Sequence, residues 1–142
     1  MTGAAGQVKD GGMTNEQRSP YVLIGGETGV RELVDRFYDI MDSAPEAAGI
    51  RAMHPQSLDV AREKLHLFLT GWMGGPSLYV ERFGPPMLRA RHLPFPIGEA
   101  ERDAWIRCMD QALDEQEMSE DLRGFLRERF RSMADHMRNR SS

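Results

Sequence analysis

Apolar residues recur along this chain at helical spacing in four separate stretches. In the first, Leu33, Val34, Phe37, Tyr38 and Met41 share one side, with Thr28 as the expected N-cap. Ala44-Pro45-Glu46 breaks that pattern, and an irregular stretch through Met53-His54-Pro55 leads to the next. The second helix is expected from Ser57 and aligns Leu58, Ala61, Leu65, Phe68, Leu69 and Trp72; Gly71, Gly74, Gly75 and Pro76 end it. A loop from Gly74 to Pro86 carries Tyr79 and Phe83, and a short helical turn runs through Met87-Leu88 to His92. The third long helix puts Trp105, Ile106, Met109, Ala112 and Leu113 inside. The fourth opens at Ser119 with Glu120 and Asp121 in its first turn and buries Leu122, Phe125, Leu126, Phe130, Met133 and Met137. No stretch alternates with a period of two, so the fold class is all-α.

With 142 residues the chain has room for one core. Residues 1–20 hold little to bury and are expected to form a flexible tail, leaving 21–142 as the domain. A formal net charge of −4 argues against a nucleic-acid partner. The basic residues between Arg123 and Arg140 alternate with Glu128 and Asp135 and are expected to form a solvated helix face. The single cysteine, Cys108, excludes an internal disulfide and sits among Trp105, Ile106 and Met109, as a packed thiol does. No apolar run reaches membrane-spanning length and no secretory h-region is visible, so a cytoplasmic protein with no membrane partner is expected.

The candidate chemistry lies between Arg89 and Trp105. His92 falls where Pro94 and Pro96 must stop a helix, and Arg89 and Arg91 precede it. A neutral imidazole held at a helix end beside cations suits an iron porphyrin with two propionates; a capping histidine before a proline turn has the same local pattern. Gly74-Gly75-Pro76 has no lysine at phosphate-loop spacing and no strand before it, so it is the exit of a helix. Most of the ten methionines are expected in the core.

Five motifs occur in order: Arg-Phe-Tyr-Asp (36–39), Lys-Leu-His-Leu-Phe-Leu (64–69), Gly-Gly-Pro (74–76), Arg-His-Leu-Pro-Phe (91–95) and Ala-Glu-Arg-Asp-Ala-Trp-Ile-Arg-Cys-Met (100–109). From about Gly25 to Met137 the chain thereby resembles the group II truncated haemoglobins. The resemblance implies a globin-like two-over-two helical sandwich around haem b, with 21–142 as a truncated globin domain. It makes His92 the proximal iron ligand, with Tyr38 and Trp105 as distal donors to a bound diatomic ligand. His54 departs from the family, which commonly carries tyrosine or phenylalanine there. It is expected to donate to that ligand, to ligate iron, or to face solvent.

By the same resemblance Ala61 occupies the place of a distal histidine and offers no donor. Phe37, Leu65, Phe68, Met87 and Phe95 become apolar cofactor contacts, and Lys64, Arg91 and Tyr79 propionate partners; His66 and His136 are expected to face solvent. The implied ligands are O2, NO and CO. Several donors on one ligand slow its release, which fits nitric oxide or peroxide chemistry, or sensing, better than bulk O2 transport. Whether the chain is an enzyme stays open; a reductase electron donor and a monomer or homodimer are compatible. The alternative is a haem-free globin-like sensor or interaction module.

Overall fold

A computed structural model describes residues 19–141. They form α1 (Pro20–Ile24), α2 (Gly26–Ser43), a 3-10 turn (Pro45–Ala47), α3 (Ala48–Arg51), α4 (Asp59–Trp72), α5 (Leu78–Phe83), α6 (Leu88–His92), α7 (Glu99–Glu115) and α8 (Glu120–His136), with no strand among the described residues. Helices α2 and α4 pack as one pair and α7 and α8 as another, and α2 lies against α7 to join them. That is the two-over-two arrangement. The centre of the core between the pairs is apolar: Val30, Leu33, Phe37, Leu69, Met109, Ala112, Leu113 and Leu126 are sealed from water.

The expected tail lies largely outside the described residues, but its last two members belong to the fold. Ser19 Oγ accepts from the Val22 N–H at 3.3 Å, and Pro20 opens α1 where its missing donor costs nothing. Gly25, at φ 108°, then turns the chain directly into α2. The helix therefore starts two residues before Thr28, which does not cap it. The tight α1–α2 corner demands glycine at position 29, because a Cβ there would overlap the Ile24 carbonyl. The expected loop 74–86 is also not all loop. Gly74-Gly75-Pro76 and Gly84-Pro85-Pro86 bracket six residues without a breaker, and those six form α5.

Three side chains depart from their expected exposure. His66 is only 2% exposed rather than solvent-facing, since α4 is covered by both α2 and α5 and this residue points towards Glu27. Arg123 is buried instead of lying on a solvated face. Its guanidinium donates to the carbonyls of Leu113 (3.1 Å) and Gln116 (2.8 Å) at the end of α7 and pairs with Glu120. It thus satisfies carbonyls that the terminating helix leaves without partners. Phe125 is 47% exposed, on the outer side of α8. Cys108 is buried and His136 exposed, as expected.

Two arginines shape the rest of the fold for the site. Arg62 on α4 reaches back to α2, donating to Asp39 Oδ1 at 2.7 Å and to Asp35 Oδ1 at 3.1 Å. Arg51 bonds Asp42 at 2.7 Å and donates to the carbonyls of Pro55 (2.9 Å) and Gln56 (2.6 Å), bracing the bend that carries His54.

Candidate haem site

His92 ends α6, a five-residue helix that starts after Met87, whose φ of 46° is the one left-handed non-glycine backbone among the described residues. The His92 ring is half-buried, and its Nδ1 lies 2.7 Å from the Leu88 carbonyl oxygen. A carbonyl can only accept, so Nδ1 carries the proton and Nε2 is left with a lone pair. That is the form of imidazole that ligates a metal, with the second nitrogen held as a ligand histidine requires.

The turn after His92 is clamped from the far end of the chain. Asn139 Nδ2 donates to the carbonyls of His92 (3.2 Å) and Phe95 (2.9 Å), and its Oδ1 accepts from the Ile97 N–H at 3.0 Å. The backbone N–H groups of Asn139 and Arg140 both donate to the Ile97 carbonyl, at 2.8 and 3.1 Å. Only one orientation of the amide satisfies all three side-chain contacts. Asn139 was not singled out in the sequence; the only signal there is an asparagine just beyond the last helix, where its amide is free to bond backbone.

A second cluster gathers side chains from three elements. Tyr38 meets Phe37 edge-on at 4.9 Å between ring centroids, Phe37 meets Trp105 at 5.1 Å, and Tyr38 faces His54 at 5.9 Å. Tyr38 is 6% exposed, and burial pushes its phenol up to about 12 against the smaller opposing pull of Arg62, whose guanidinium lies 5.8 Å from the ring. The hydroxyl therefore stays protonated, and a donor, across the physiological range. His54 Nδ1 lies 2.9 Å from the Ile50 carbonyl oxygen, so the neutral ring presents Nε2 as an acceptor. Of the roles expected for His54, this tautomer suits iron ligation, and donation to a ligand requires a proton on Nε2.

A third group forms a basic rim. Phe68 meets Tyr79 at 6.0 Å and Tyr79 meets Phe83 at 4.9 Å, with Arg91 over Tyr79 and Lys64 over Phe83. Arg91 is aimed by the Pro86 carbonyl, to which its Nε donates at 2.6 Å. Neither Lys64 nor Arg91 pairs with a carboxylate among the described residues. Ala61, Leu65 and Phe68 are partly buried along α4. Met87 and Phe95 flank His92 without joining either ring cluster. They stand 63% and 39% exposed, with Leu93 at 51%, an apolar surface that a porphyrin face would cover.

The donor set fits haem. One imidazole has its tautomer set, apolar side chains beside it are uncovered, and two rim cations pair with no carboxylate among the described residues. A surface cleft of about 390 Å³ at the end of α4 shares no residue with these groups.

Comparison with known proteins agrees. The family model for bacterial-like globins matches residues 19–139. The chain is 42% identical to the group 2 truncated haemoglobin YjbI of Bacillus subtilis over 123 residues, 87% of this chain and 90% of that one. Among solved structures, the group II 2-on-2 haemoglobin of Agrobacterium tumefaciens superposes with a TM-score of 0.85 at 46% identity, covering 89% of this chain and 98% of that one. The cold-adapted truncated haemoglobin of Pseudoalteromonas haloplanktis gives 0.84 at 43% identity, covering 86% and 98%. A family match of this extent, on a two-over-two helical frame, places the chain among the bacterial-like globins as a group 2 truncated haemoglobin.

Proposed function

We propose that the chain holds haem b through His92 Nε2 and uses it to retain and process O2 and related diatomic ligands. The observation that carries this reading is the 2.7 Å contact of His92 Nδ1 with the Leu88 carbonyl, which leaves Nε2 as the lone-pair donor on a clamped turn. Haem, when bound, supplies an iron coordination position at which O2, NO or CO attaches.

The protein supplies the rest. Tyr38, protonated because burial raises its phenol, donates its hydroxyl proton in a hydrogen bond to the ligand. Trp105 Nε1–H is the second donor, and its ring, with Phe37, keeps water from that side. His54 acts differently: held by Ile50, its Nε2 would accept the single Tyr38 hydroxyl proton, or would ligate iron, in either case only while no gas is bound. Ala61 adds bulk without a donor, Leu65, Phe68, Met87 and Phe95 cover the porphyrin, and Lys64, Arg91 and Tyr79 meet its propionates. Each exposed cation contributes about 0–1 kcal/mol.

Two donors on one ligand, each contributing about 1 kcal/mol, slow release about thirty-fold in combination. Slow release suits nitric oxide or peroxide chemistry, or sensing, rather than delivery, and it requires an electron donor to restore ferrous iron. His92→Ala should lose the Soret band of the purified protein; a variant with a normal five-coordinate ferrous spectrum would refute the assignment. Anaerobic ferrous spectra of wild type and His54→Phe separate the two roles of His54. A six-coordinate wild type that becomes five-coordinate in the variant identifies a ligand, and identical five-coordinate spectra exclude ligation by His54.

A further inference from the structure

The two tryptophans are joined by a single phenyl ring. Trp105, in the distal cluster, meets Phe130 of α8 at 5.9 Å between centroids, and Phe130 stacks on Trp72 at 4.8 Å with 27° between planes. With Tyr38 and Phe37 on the other side of Trp105, five rings run from the candidate ligand pocket to the end of α4. There Trp72 lines the cleft of about 390 Å³, with Met73, Phe125, Leu126 and Arg129 among its walls. The Arg129 guanidinium lies 5.9 Å from the Trp72 ring and 5.6 Å from Phe125. Its neighbours Arg127 and Arg131 pair with Asp110, whereas Arg129 pairs with no carboxylate among the described residues. The cleft therefore combines a flat indole, apolar walls and an uncommitted cation, the chemistry that receives a small planar anion.

We propose that Trp72 is the surface port of a one-electron path into the distal pocket, and that its cleft seats an anionic donor of the enediolate class. Indole is among the most readily oxidised side chains, so Trp105 and Trp72 serve as stations and Phe130 as the bridge between them. The oxidant is hydrogen peroxide: its O–O bond breaks, and two electrons and two protons complete two waters. An electron withdrawn from Trp105 is replaced from Trp72. The Nε1 proton of Trp72 passes to water in the open cleft, because the Arg129 charge disfavours a second cation beside it. The donor then returns an electron to Trp72, and water returns the proton. Two donors, each losing one electron and one hydroxyl proton, thus supply the two electrons and two protons that one peroxide takes up.

The route rests on the haem reading above, and the test separates the two. Holoprotein is treated with peroxide and a nitroso spin trap, and adducts are located by peptide mass spectrometry. An adduct at Trp72 is expected in wild type, lost in Trp105→Phe and suppressed by ascorbate. In steady-state turnover, Arg129→Gln should raise the half-saturating concentration about two- to five-fold more for anionic ascorbate than for neutral hydroquinone, because only ascorbate loses an ion pair. A normal Soret band with no Trp72 adduct, equal adduct in Trp105→Phe, or equal shifts for both donors overturns the route while leaving the haem reading intact. A chain that takes up no haem overturns both.

Discussion

Removing the Asn139 amide should loosen His92, the proposed iron ligand, from forty-seven residues away in sequence. Asn139→Ala deletes four hydrogen bonds: two from Nδ2 to the carbonyls of His92 and Phe95, and two that Oδ1 accepts, from the Ile97 N–H and from the exposed Arg140 guanidinium. Each is worth about 0.5–1.5 kcal/mol net, and water reaches this partly exposed turn to replace part of the loss. The backbone bonds from residues 139 and 140 to the Ile97 carbonyl survive the substitution. A local cost of about 1–2 kcal/mol is expected, which corresponds to haem loss about five- to thirty-fold faster. Haem transfer to an excess of apomyoglobin measures that rate directly, and the iron–histidine stretch of the ferrous protein should broaden as the turn samples more orientations. Asn139→Asp keeps the acceptor for Ile97 but sets a carboxylate against two carbonyls, so it should also release haem faster than wild type. Haem transfer within two-fold of wild type in the alanine variant would show that the clamp does not hold the proximal turn.

Tyr38→Phe should speed O2 dissociation about five- to ten-fold, the effect of one donor bond, and flash photolysis or stopped-flow reads it; an unchanged rate removes Tyr38 from ligand retention. His66 is buried, and desolvation followed by the Arg31 charge pulls its protonation below the usual range, against the opposing carboxylates of Glu27, Glu63 and Asp35. The unfolded chain therefore takes up that proton first, so stability is full above about pH 6.5 and is lost as pH falls towards the folded value. Thermal melts between pH 7.5 and about 5 should show a drop that is shallower in His66→Gln, and parallel drops would exclude this residue as the cause. Gly29→Ala forces a Cβ into the Ile24 carbonyl and should cost about 1–3 kcal/mol in urea unfolding; a variant as stable as wild type would mean that α1 yields freely.

The long helices were legible because α2, α4, α7 and α8 each repeat their apolar residues over at least three turns. Five-residue α1 and six-residue α5 carry too few positions to establish a period, and their flanking glycines and prolines read as loop. His66 misled because a polar residue off the apolar stripe signals exposure only when one face of the helix is covered, and α4 has two. Phe125 erred the other way, lying on the stripe's edge beside an open cleft. The candidate residues His92, Tyr38 and Trp105 were nominated by their motifs. The geometry of the site was not legible. The Asn139 clamp, the Arg51 brace and the Arg62 bridge between two helices all join positions whose proximity exists only after folding.

His54 and His92 are held by the same device, a ring nitrogen bonded to the carbonyl four residues earlier, at 2.9 and 2.7 Å. Both thus offer the same lone pair, and as free ligands they would be interchangeable. What distinguishes them is the stiffness of their tethers. His92 sits on a turn bonded to a distant strap of chain through side chain and backbone alike, whereas His54 rides a bend held by its own local backbone bonds and the nearby guanidinium of Arg51. A displaceable partner needs a compliant mount and a permanent one needs a rigid mount. The two candidate histidines differ in mechanics before they differ in chemistry.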